Sequence, residues 1–308
     1  MVDYIKFFIS LIALIKGADL LIKEAEKIAL KFGISEFIIG ATLIAIGTSL
    51  PELATAIAAT LENKSDIAVS NVIGSVIFNI TLVLGLIFLI AKKIKPKRDI
   101  FTKDAAWSLF PLFAFILVSF DGVITRGEGF LFFILIFGYM LFLFRNPELV
   151  EEEIEIEKEK FNTIKTIIFL IIGFILVIYG ADYLVLSATN IAQSLGISEW
   201  LIGLLLISLG TSLPELIVSI IAAKKGKADM SIGNIIGSNI ANFSVVIGGA
   251  SIIKPLTFNI KAYSFDILTA IIVSLMLLFI TANKLYNRSA AIALLSILGI
   301  FLLNQIRI

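Results

Sequence analysis

The sequence predicts an all-α membrane protein with ten transmembrane helices, arranged as two inverted five-helix repeats. Three observations lead to this fold class. Of the 308 residues, 59% are hydrophobic and only 16% are charged, a composition far more apolar than that of soluble domains. About ten apolar runs reach the roughly 20 residues that a membrane-spanning helix needs. These runs fall into two halves of similar sequence, and the loops between them differ sharply in their basic residues.

The first half, residues 1–145, contains five predicted helices. The first is longer than a straight span needs and carries Lys16 and Asp19 part-way along. The second and third contain polar residues within apolar runs, whereas the fourth and fifth are plain apolar runs that we interpret as scaffold. The predicted limits are roughly Tyr4–Ala29, Glu36–Leu61, Ile67–Ile90, Ala105–Phe120 and Gly129–Phe144.

A charged linker, residues 146–165, separates the first half from the second half, residues 166–308. At about 20 residues it is too short to form a folded domain. Its acidic residues also lack the alternating ligands and the glycine of an EF-hand calcium loop. We therefore interpret it as a solvated segment.

The second half repeats the first. Aligning Gly17 with Gly180 gives a constant offset of 163 residues, without a gap, as far as Asn79 and Asn242, and 32 of the 63 aligned positions are identical. Such self-similarity indicates an internal duplication. Because each copy contains an odd number of predicted spans, the second copy enters the membrane from the opposite side, as in many secondary transporters.

The distribution of basic residues predicts the orientation. Cytoplasmic loops carry an excess of lysine and arginine. With the N-terminus outside, 18 lysines and arginines fall on the inner side and 6 on the outer side. The sequence therefore predicts a multi-pass protein of the cell membrane, with both termini extracellular and the charged linker in the cytoplasm. The segment from Met1 to Lys6 lacks the basic start and cleavage site of a signal peptide, so the first helix is expected to be retained.

The composition excludes several classes of function. The chain has neither cysteine nor histidine, which rules out disulfides, thiolate metal sites, zinc-protease motifs and imidazole proton relays. A net charge of +1 does not suggest a nucleic-acid partner, and no obligate protein partner or cofactor is indicated. Chemistry within the membrane must therefore rest on carboxylates, hydroxyls, amides and the backbone.

A six-residue motif interrupts the second predicted helix and recurs in the second half. It is Gly47-Thr48-Ser49-Leu50-Pro51-Glu52, repeated as residues 210–215. Because Pro51 has no N–H, the carbonyl of Gly47 loses its helical partner and the helix must open there. Within a bilayer, unpaired backbone is tolerated only where it is buried in protein or lines a wet cavity. Hard cations such as Na+ and Ca2+ prefer such oxygen ligands.

Further oxygen-bearing side chains lie at helical spacing from each other. If the turn stays roughly helical, Thr48 and Ser49 share a face with Glu52, and Ser75 shares one with Asn79. Two inverted copies meeting near the middle of the membrane would combine these groups into one cage with a formal charge of −2. The equivalents in the second half are Thr211, Ser212, Glu215, Ser238 and Asn242.

The charge of this cage indicates its ligand. A glutamate at bilayer depth is costly unless it is paired or hydrated, and no basic residue is repeated in register with Glu52 and Glu215. Two carboxylates are balanced by one Ca2+ or by two or more monovalent cations, as an exchanger requires. Asp19 and Asp182 are interpreted as supporting or hinge residues, not as ion ligands. Four glycines are interpreted as points of close helix packing: Gly40, Gly74, Gly203 and Gly237.

The paired motifs, each followed by a Gly-Ser-x-x-x-Asn segment, resemble the two alpha repeats of the calcium/cation antiporter superfamily, especially the microbial Na+/Ca2+ exchangers. The resemblance covers both halves and implies that Na+ and Ca2+ bind alternately at oxygens of these repeats. Carried over by position, the implied metal ligands are Ala45 (carbonyl), Thr48, Ser49, Glu52, Ser75, Asn79, Ser208 (carbonyl), Thr211, Ser212, Glu215, Ser238 and Asn242.

Two details bear on the coupling ion, and one further difference, at Val76, separates the two copies without indicating an ion. Several relatives, including potassium-dependent ones, have aspartate at the position of Asn242, so asparagine here disfavours K+ co-transport and leaves two ionisable ligands. Val76 stands where the second copy has Asn239. The related proton/calcium exchangers typically have a Gly-Asn-x-x-Glu pattern instead of this motif. The predicted function is thus a Na+/Ca2+ antiporter and not an enzyme, with Ca2+/H+ exchange or a membrane enzyme using the glutamate pair as the alternatives.

Overall fold

The computed structural model describes residues 2–90, 101–145, 161–195 and 208–307. The basic segment 92–98, most of the charged linker, and the beginning of the seventh predicted helix with Gly203 lie outside the described residues. Within the described ranges the chain is almost entirely helical.

The first half begins with one long helix and continues with helices that are interrupted by π-helical turns, at Gly40–Ile44 and Asn79–Val83. A single 3-10 turn, Ser119–Asp121, precedes its last helix. The α-helices are α1 (Val2–Phe32), α2 (Glu36–Ile39), α3 (Ala45–Thr48), α4 (Leu50–Leu61), α5 (Ser65–Phe78), α6 (Leu84–Ile90), α7 (Phe101–Val118) and α8 (Arg126–Arg145).

The second half has a similar order of elements. A π-helical turn at Asn242–Ile247 and a 3-10 turn at Ile260–Tyr263 interrupt it. Its α-helices are α9 (Thr163–Ser194), α10 (Ser208–Gly210), α11 (Leu213–Lys224), α12 (Ala228–Ala241), α13 (Gly248–Ile253), α14 (Ser264–Ala282) and α15 (Arg288–Arg307). Two short antiparallel strands, β1 (Val123–Ile124) and β2 (Leu256–Thr257), join loops of the two halves.

Eight helical stretches in the described residues are long and apolar enough to cross a membrane. Two of the ten predicted spans are not among them. One is α1, whose apolar stretch is interrupted by Lys6, Lys16 and Asp19. The other is the seventh predicted helix, which is described only from Ser208 onward. The eight stretches are Glu36–Leu61, Ser65–Ile90, Lys103–Asp121, Arg126–Arg145, Thr163–Ser194, Ala228–Ile253, Ile260–Ala282 and Arg288–Gln305.

Large apolar side chains cover much of the outer surface. On α8, for example, Phe130, Leu131, Phe137 and Leu141 are each more than half exposed. Soluble monomers rarely expose many large apolar side chains side by side. The surface therefore suits a lipid environment, while Phe132 and Tyr139 on the same helix face the interior.

Helices α1 and α9 cross in antiparallel directions at very close range. A Cβ atom added to Gly17 would lie 2.7 Å from Cβ of Leu176, one added to Gly173 would lie 2.9 Å from Leu21, and one added to Gly180 would lie 2.8 Å from the backbone of Leu14. Residues nearer the C-terminus of α9 thus contact residues nearer the N-terminus of α1, so the two helices run antiparallel. Glycine lets the two backbones approach, as in other membrane helix pairs.

The two halves also pack against each other through α12, which lies along α2 and the π-helical turn Gly40–Ile44 of the first half. The Cα of Gly237 faces the backbone of Ala41, and Gly40 faces the carbonyl of Met230 so closely that no side chain fits at either glycine. The close-packing interpretation is confirmed for these two glycines. It is wrong for Gly74, where an added Cβ would meet nothing within 4 Å, because the contacts of α5 and α12 differ although their sequences are related.

Ion pairs at one end of the molecule tie α1 to the connection between α11 and α12. Lys225 pairs with Asp19 at 2.5 Å, and Lys227 pairs with Glu26 of α1 and with Glu36 at 2.7 Å. Burial disfavours the charged form of Lys227, but its hydrogen bonds to the two glutamates outweigh this and raise its pKa. Asp19 of the first half thus contacts a lysine of the second half.

Replacing Lys227 with alanine is expected to lower the apparent Tm of the purified protein by about 3–8 °C, because Glu26 and Glu36 lose their shared charged donor. Thermal unfolding followed by tryptophan fluorescence measures the effect. The matched control is Lys64→Ala at the equivalent position, where the lysine pairs only with the exposed Glu62 and a change within about 1 °C is expected. Equal shifts in both variants would contradict this assignment.

Candidate ion-binding site

The two copies of the motif break their helices in the same way. Ser49 and Ser212 have nearly identical backbone angles, with φ/ψ of −85°/4° and −88°/3°, and the next helix begins at the following residue in each half. Each proline lies at the second position of the new helix, where its missing N–H costs little. The predicted opening of the helix at the motif is confirmed in both halves.

The glutamates of the two motifs are fully enclosed by protein. Glu52 and Glu215 are each 1% exposed and lie in the first turns of α4 and α11. The partial positive charge of a helix N-terminus stabilises a carboxylate at this position. Within the described part of the chain, neither glutamate forms a salt bridge, and the charge of Glu215 acts on Glu52. Two buried, uncompensated carboxylates therefore lie near one another.

Serine hydroxyls connect each carboxylate to the rest of the site. Ser49 Oγ donates to Glu215 Oε1 at 3.4 Å, and Ser75 Oγ donates to Glu52 Oε1 at 3.5 Å. Ser212 Oγ in turn donates to Ser75 Oγ at 3.1 Å. The first motif thus contacts the glutamate of the second motif, whereas the spacing argument paired Ser49 with Glu52. That argument required a continuous helical turn, and the break at Ser49 removes it.

The bonds to the carboxylates are long for O–H···O hydrogen bonds, which are usually below 3.0 Å. The second oxygen of each carboxylate, Oε2 of Glu52 and of Glu215, is buried without a hydrogen-bond partner among the residues that the structure describes. Such unsatisfied acceptors are costly in a protein interior. A bound cation would satisfy them.

Asparagine side chains supply further unpartnered oxygens. Asn79 and Asn242 each begin a π-helical turn, at equivalent positions in the two halves. Such turns are frequent at functional sites. The Oδ1 atoms of both residues are buried without a partner. Among the described residues, no group of three or more aspartates or glutamates is placed so that it could hold a metal ion.

Two asparagines that were not among the predicted site residues also join the halves here. Thr211 Oγ1 donates to Asn71 Oδ1 at 3.0 Å, and Thr48 Oγ1 is 3.4 Å from Asn234 Oδ1. These two contacts are related by the offset of 163 residues. Asn71 and Asn234 occupy equivalent positions in the two copies, each within an apolar helix. A polar residue repeated in this way was a signal in the sequence that the predicted site left out.

Hydrogen bonds connect most of the predicted residues that the structure describes, whereas Asn242 is buried without such a bond to its Oδ1 atom. Ala45 contributes its carbonyl, which accepts a hydrogen bond from Ser238 Oγ at 3.5 Å. Thr211 is half-buried, and Ser208 begins α10, three residues before it. Asp19 and Asp182 lie on exposed faces of α1 and α9, outside this cluster. The remaining predicted residues are at most 3% exposed: Thr48, Ser49, Glu52, Ser75, Asn79, Ser212, Glu215, Ser238 and Asn242.

Comparisons with known proteins give consistent results for both halves. The family model described as sodium/calcium exchanger protein matches residues 3–145 and 165–307. An uncharacterised membrane protein of Methanocaldococcus jannaschii is 39% identical, covering 91% of this chain and 90% of the relative. The sodium/calcium exchanger MaX1 of Methanosarcina acetivorans is 32% identical, covering 98% and 97%. A solved structure of the sodium-calcium exchanger NCX_Mj, soaked with Na+ and Ca2+, has a TM-score of 0.82 at 34% identity and covers 97% of each chain.

Proposed function

Because the chain belongs to the sodium/calcium exchanger protein family, we propose that it is a secondary antiporter that exchanges Na+ for Ca2+ across the cell membrane by alternating access. The family consists of exchangers and not of enzymes, so the membrane-enzyme alternative is set aside. The observation that carries the proposal is the pair of buried glutamates, one from each half, whose second oxygens have no partner in the described structure.

The charge of the site explains why exchange, and not uniport, suits it. Glu52 and Glu215 contribute two negative charges in a region of low dielectric constant. One Ca2+, or two or more Na+, balances them, whereas an empty site would hold two uncompensated buried charges. The protein with an empty site is therefore expected to switch rarely between its inward-open and outward-open states. Release of one ion is then followed by binding of the other before the next switch.

The ligands that we propose are the oxygens named by position from the sequence. They comprise the carbonyls of Ala45 and Ser208 and the side chains of the two motifs, with the serines and asparagines that follow them. Carboxylate, hydroxyl, amide and carbonyl oxygens are the ligands that hard cations prefer. No resident cofactor forms part of the proposal, and Na+ and Ca2+ are the transported substrates.

Alternating access in this proposal rests on ten spans in two inverted five-helix repeats, residues 1–145 and 166–308. The antiparallel crossing of α1 and α9, which are equivalent helices of the two halves, supports the inversion. The separate matches of the family model to the two halves support the duplication. In inverted-repeat transporters, the substrate site lies where the repeats meet, and the cluster around the two glutamates has this position.

Na+-loaded proteoliposomes are expected to take up Ca2+ when diluted into Na+-free buffer, because outward Na+ movement drives inward Ca2+ movement. Uptake of radioactive Ca2+ measures this, and vesicles with equal Na+ on both sides provide the control. A pH gradient that drives the same uptake without Na+ would overturn Na+ coupling and favour Ca2+/H+ exchange. The absence of any gradient-driven uptake would overturn the transport proposal as a whole.

The proposed orientation places both termini outside the cell, as the distribution of basic residues predicts. Since the chain has no cysteine, single cysteines report the side of a loop without background. In cells, a membrane-impermeant maleimide is expected to label Glu62→Cys but not Asn283→Cys, both of which lie in exposed loops. The reverse pattern would invert the topology.

A further inference from the structure

A hydrogen bond between two buried amides distinguishes Asn79 from its counterpart in the second half. Asn79 Nδ2 donates to Asn239 Oδ1 at 3.1 Å, and the two side chains are 1% and 2% exposed. The bond joins the π-helical turn Asn79–Val83 to helix α12 of the other half. Asn239 thus binds the amide nitrogen of Asn79. The amide oxygen of Asn79, Oδ1, has no hydrogen-bond partner among the described residues.

The equivalent asparagine of the second half lacks this arrangement. Asn242 is the counterpart of Asn79 at the offset of 163 residues, but the counterpart of Asn239 is Val76, which has no hydrogen-bonding side chain. Val76 is 2% exposed, so it is as deeply buried as Asn239. The Oδ1 atom of Asn242 is also without a partner. The two asparagines of the site are therefore supported differently.

We propose that Asn239 is a positioning residue that holds the Asn79 amide with its oxygen directed toward the cation, a support that the equivalent Asn242 lacks. This inference rests on the proposed cation-exchange function. An asparagine side chain presents an acceptor oxygen on one side and a donor nitrogen on the other, and only the oxygen binds a cation. A donor bond that occupies the nitrogen selects the orientation that presents the oxygen.

The surroundings of Asn239 favour this role over a purely structural one. Its own Nδ2 atom is buried without a partner in the described structure. A buried amide that is only half satisfied does not favour stability, since valine fills the equivalent position at Val76 without any unpaired group. The hydrogen bond to Asn79 is the interaction that its side chain contributes.

The test measures Ca2+ binding by titration calorimetry on the purified full-length protein, with Ca2+ alone as the probe. Asn239→Val, which introduces the residue of the first half, is expected to weaken Ca2+ binding by about 3- to 10-fold, the effect of one lost hydrogen bond. Thermal unfolding is recorded in parallel. Asn239→Asp keeps an acceptor oxygen for Asn79 and is expected to bind Ca2+ no more weakly than the unaltered protein.

A double-mutant cycle with Asn79→Ala separates positioning from general destabilisation, because Asn239 acts through Asn79. In that background, with Ca2+ titrated into the millimolar range, Asn239→Val is expected to change affinity by less than about 2-fold. The same loss in both backgrounds, wild-type affinity of Asn239→Val, or weak binding by Asn239→Asp would overturn the inference and leave the proposed function intact. An unaltered protein that binds no Ca2+ would overturn the site assignment together with the inference.

Discussion

Replacing both Glu52 and Glu215 with glutamine is expected to abolish Na+-driven Ca2+ uptake in proteoliposomes. The substitution keeps the shape of the side chains but removes the whole formal charge of the proposed site. A charge pair at about 4 Å is worth roughly 4 kcal/mol at an effective dielectric constant of 20, and roughly 1.4 kcal/mol corresponds to a tenfold change in affinity. We therefore expect each single substitution to reduce uptake by at least about 100-fold.

The matched control for these variants is Glu62→Gln. Glu62 belongs to the same half as Glu52, but it lies in an exposed loop, where it pairs with Lys64. Its substitution is expected to leave uptake unchanged, because the charge is far from the buried cluster and screened by water. Gradient-driven uptake in the double variant above about a tenth of the wild-type rate would show that the ions bind elsewhere.

Replacing Gly237 with alanine is expected to destabilise the packing between the two halves. An added Cβ would lie 2.7 Å from two backbone atoms of Ala41 and closer still to its carbonyl oxygen, so the backbone of α12 or of the π-helical turn Gly40–Ile44 must move. Interiors are packed too tightly to absorb such a shift cheaply, and overpacking costs about 1–3 kcal/mol or more. The expected result is a fall in apparent Tm of roughly 5–10 °C, together with weakened Ca2+ binding.

Gly74→Ala provides a control at the equivalent position of the other half. An added Cβ there would meet nothing within 4 Å, and alanine is a better helix former than glycine by about 1 kcal/mol. The Tm of this variant is expected to stay the same or to rise slightly. Similar falls for the two glycine variants would show that α5 and α12 pack alike, contrary to the structure.

Much of the helical layout was predictable from the sequence. Apolar runs and their charged boundaries located Ser65–Ile90 and Arg126–Arg145 to within a few residues. The helix break at the motif was predictable as well, because it follows from the missing N–H of proline. The division of Glu36–Leu61 by a π-helical turn before the motif was not predicted. Such turns have no simple sequence pattern.

The candidate site likewise has features that the sequence predicted and features that it did not. Glu52 and Glu215 were identifiable as a pair because carboxylates in apolar runs are unusual and these two are related by the repeat. The contact of Ser49 with Glu215 was not predictable, since spacing along a helix describes only neighbours within that helix. Asn239 was visible as a difference from Val76, but its effect depends on Asn79 of the other half.

The sequence by itself determined the duplication at 163 residues, the two proline breaks and the oxygen-rich side chains that accompany them, because these are properties of the chain read residue by residue. Only the tertiary structure decided which hydroxyl meets which carboxylate, that Asn71, Asn234 and Asn239 belong to the same cluster, and that Gly237 is tightly packed while Gly74 is not. The physical reason is that these contacts form between different helices, most of them from different halves. They depend on distances of about 3 Å that no periodicity within one helix specifies.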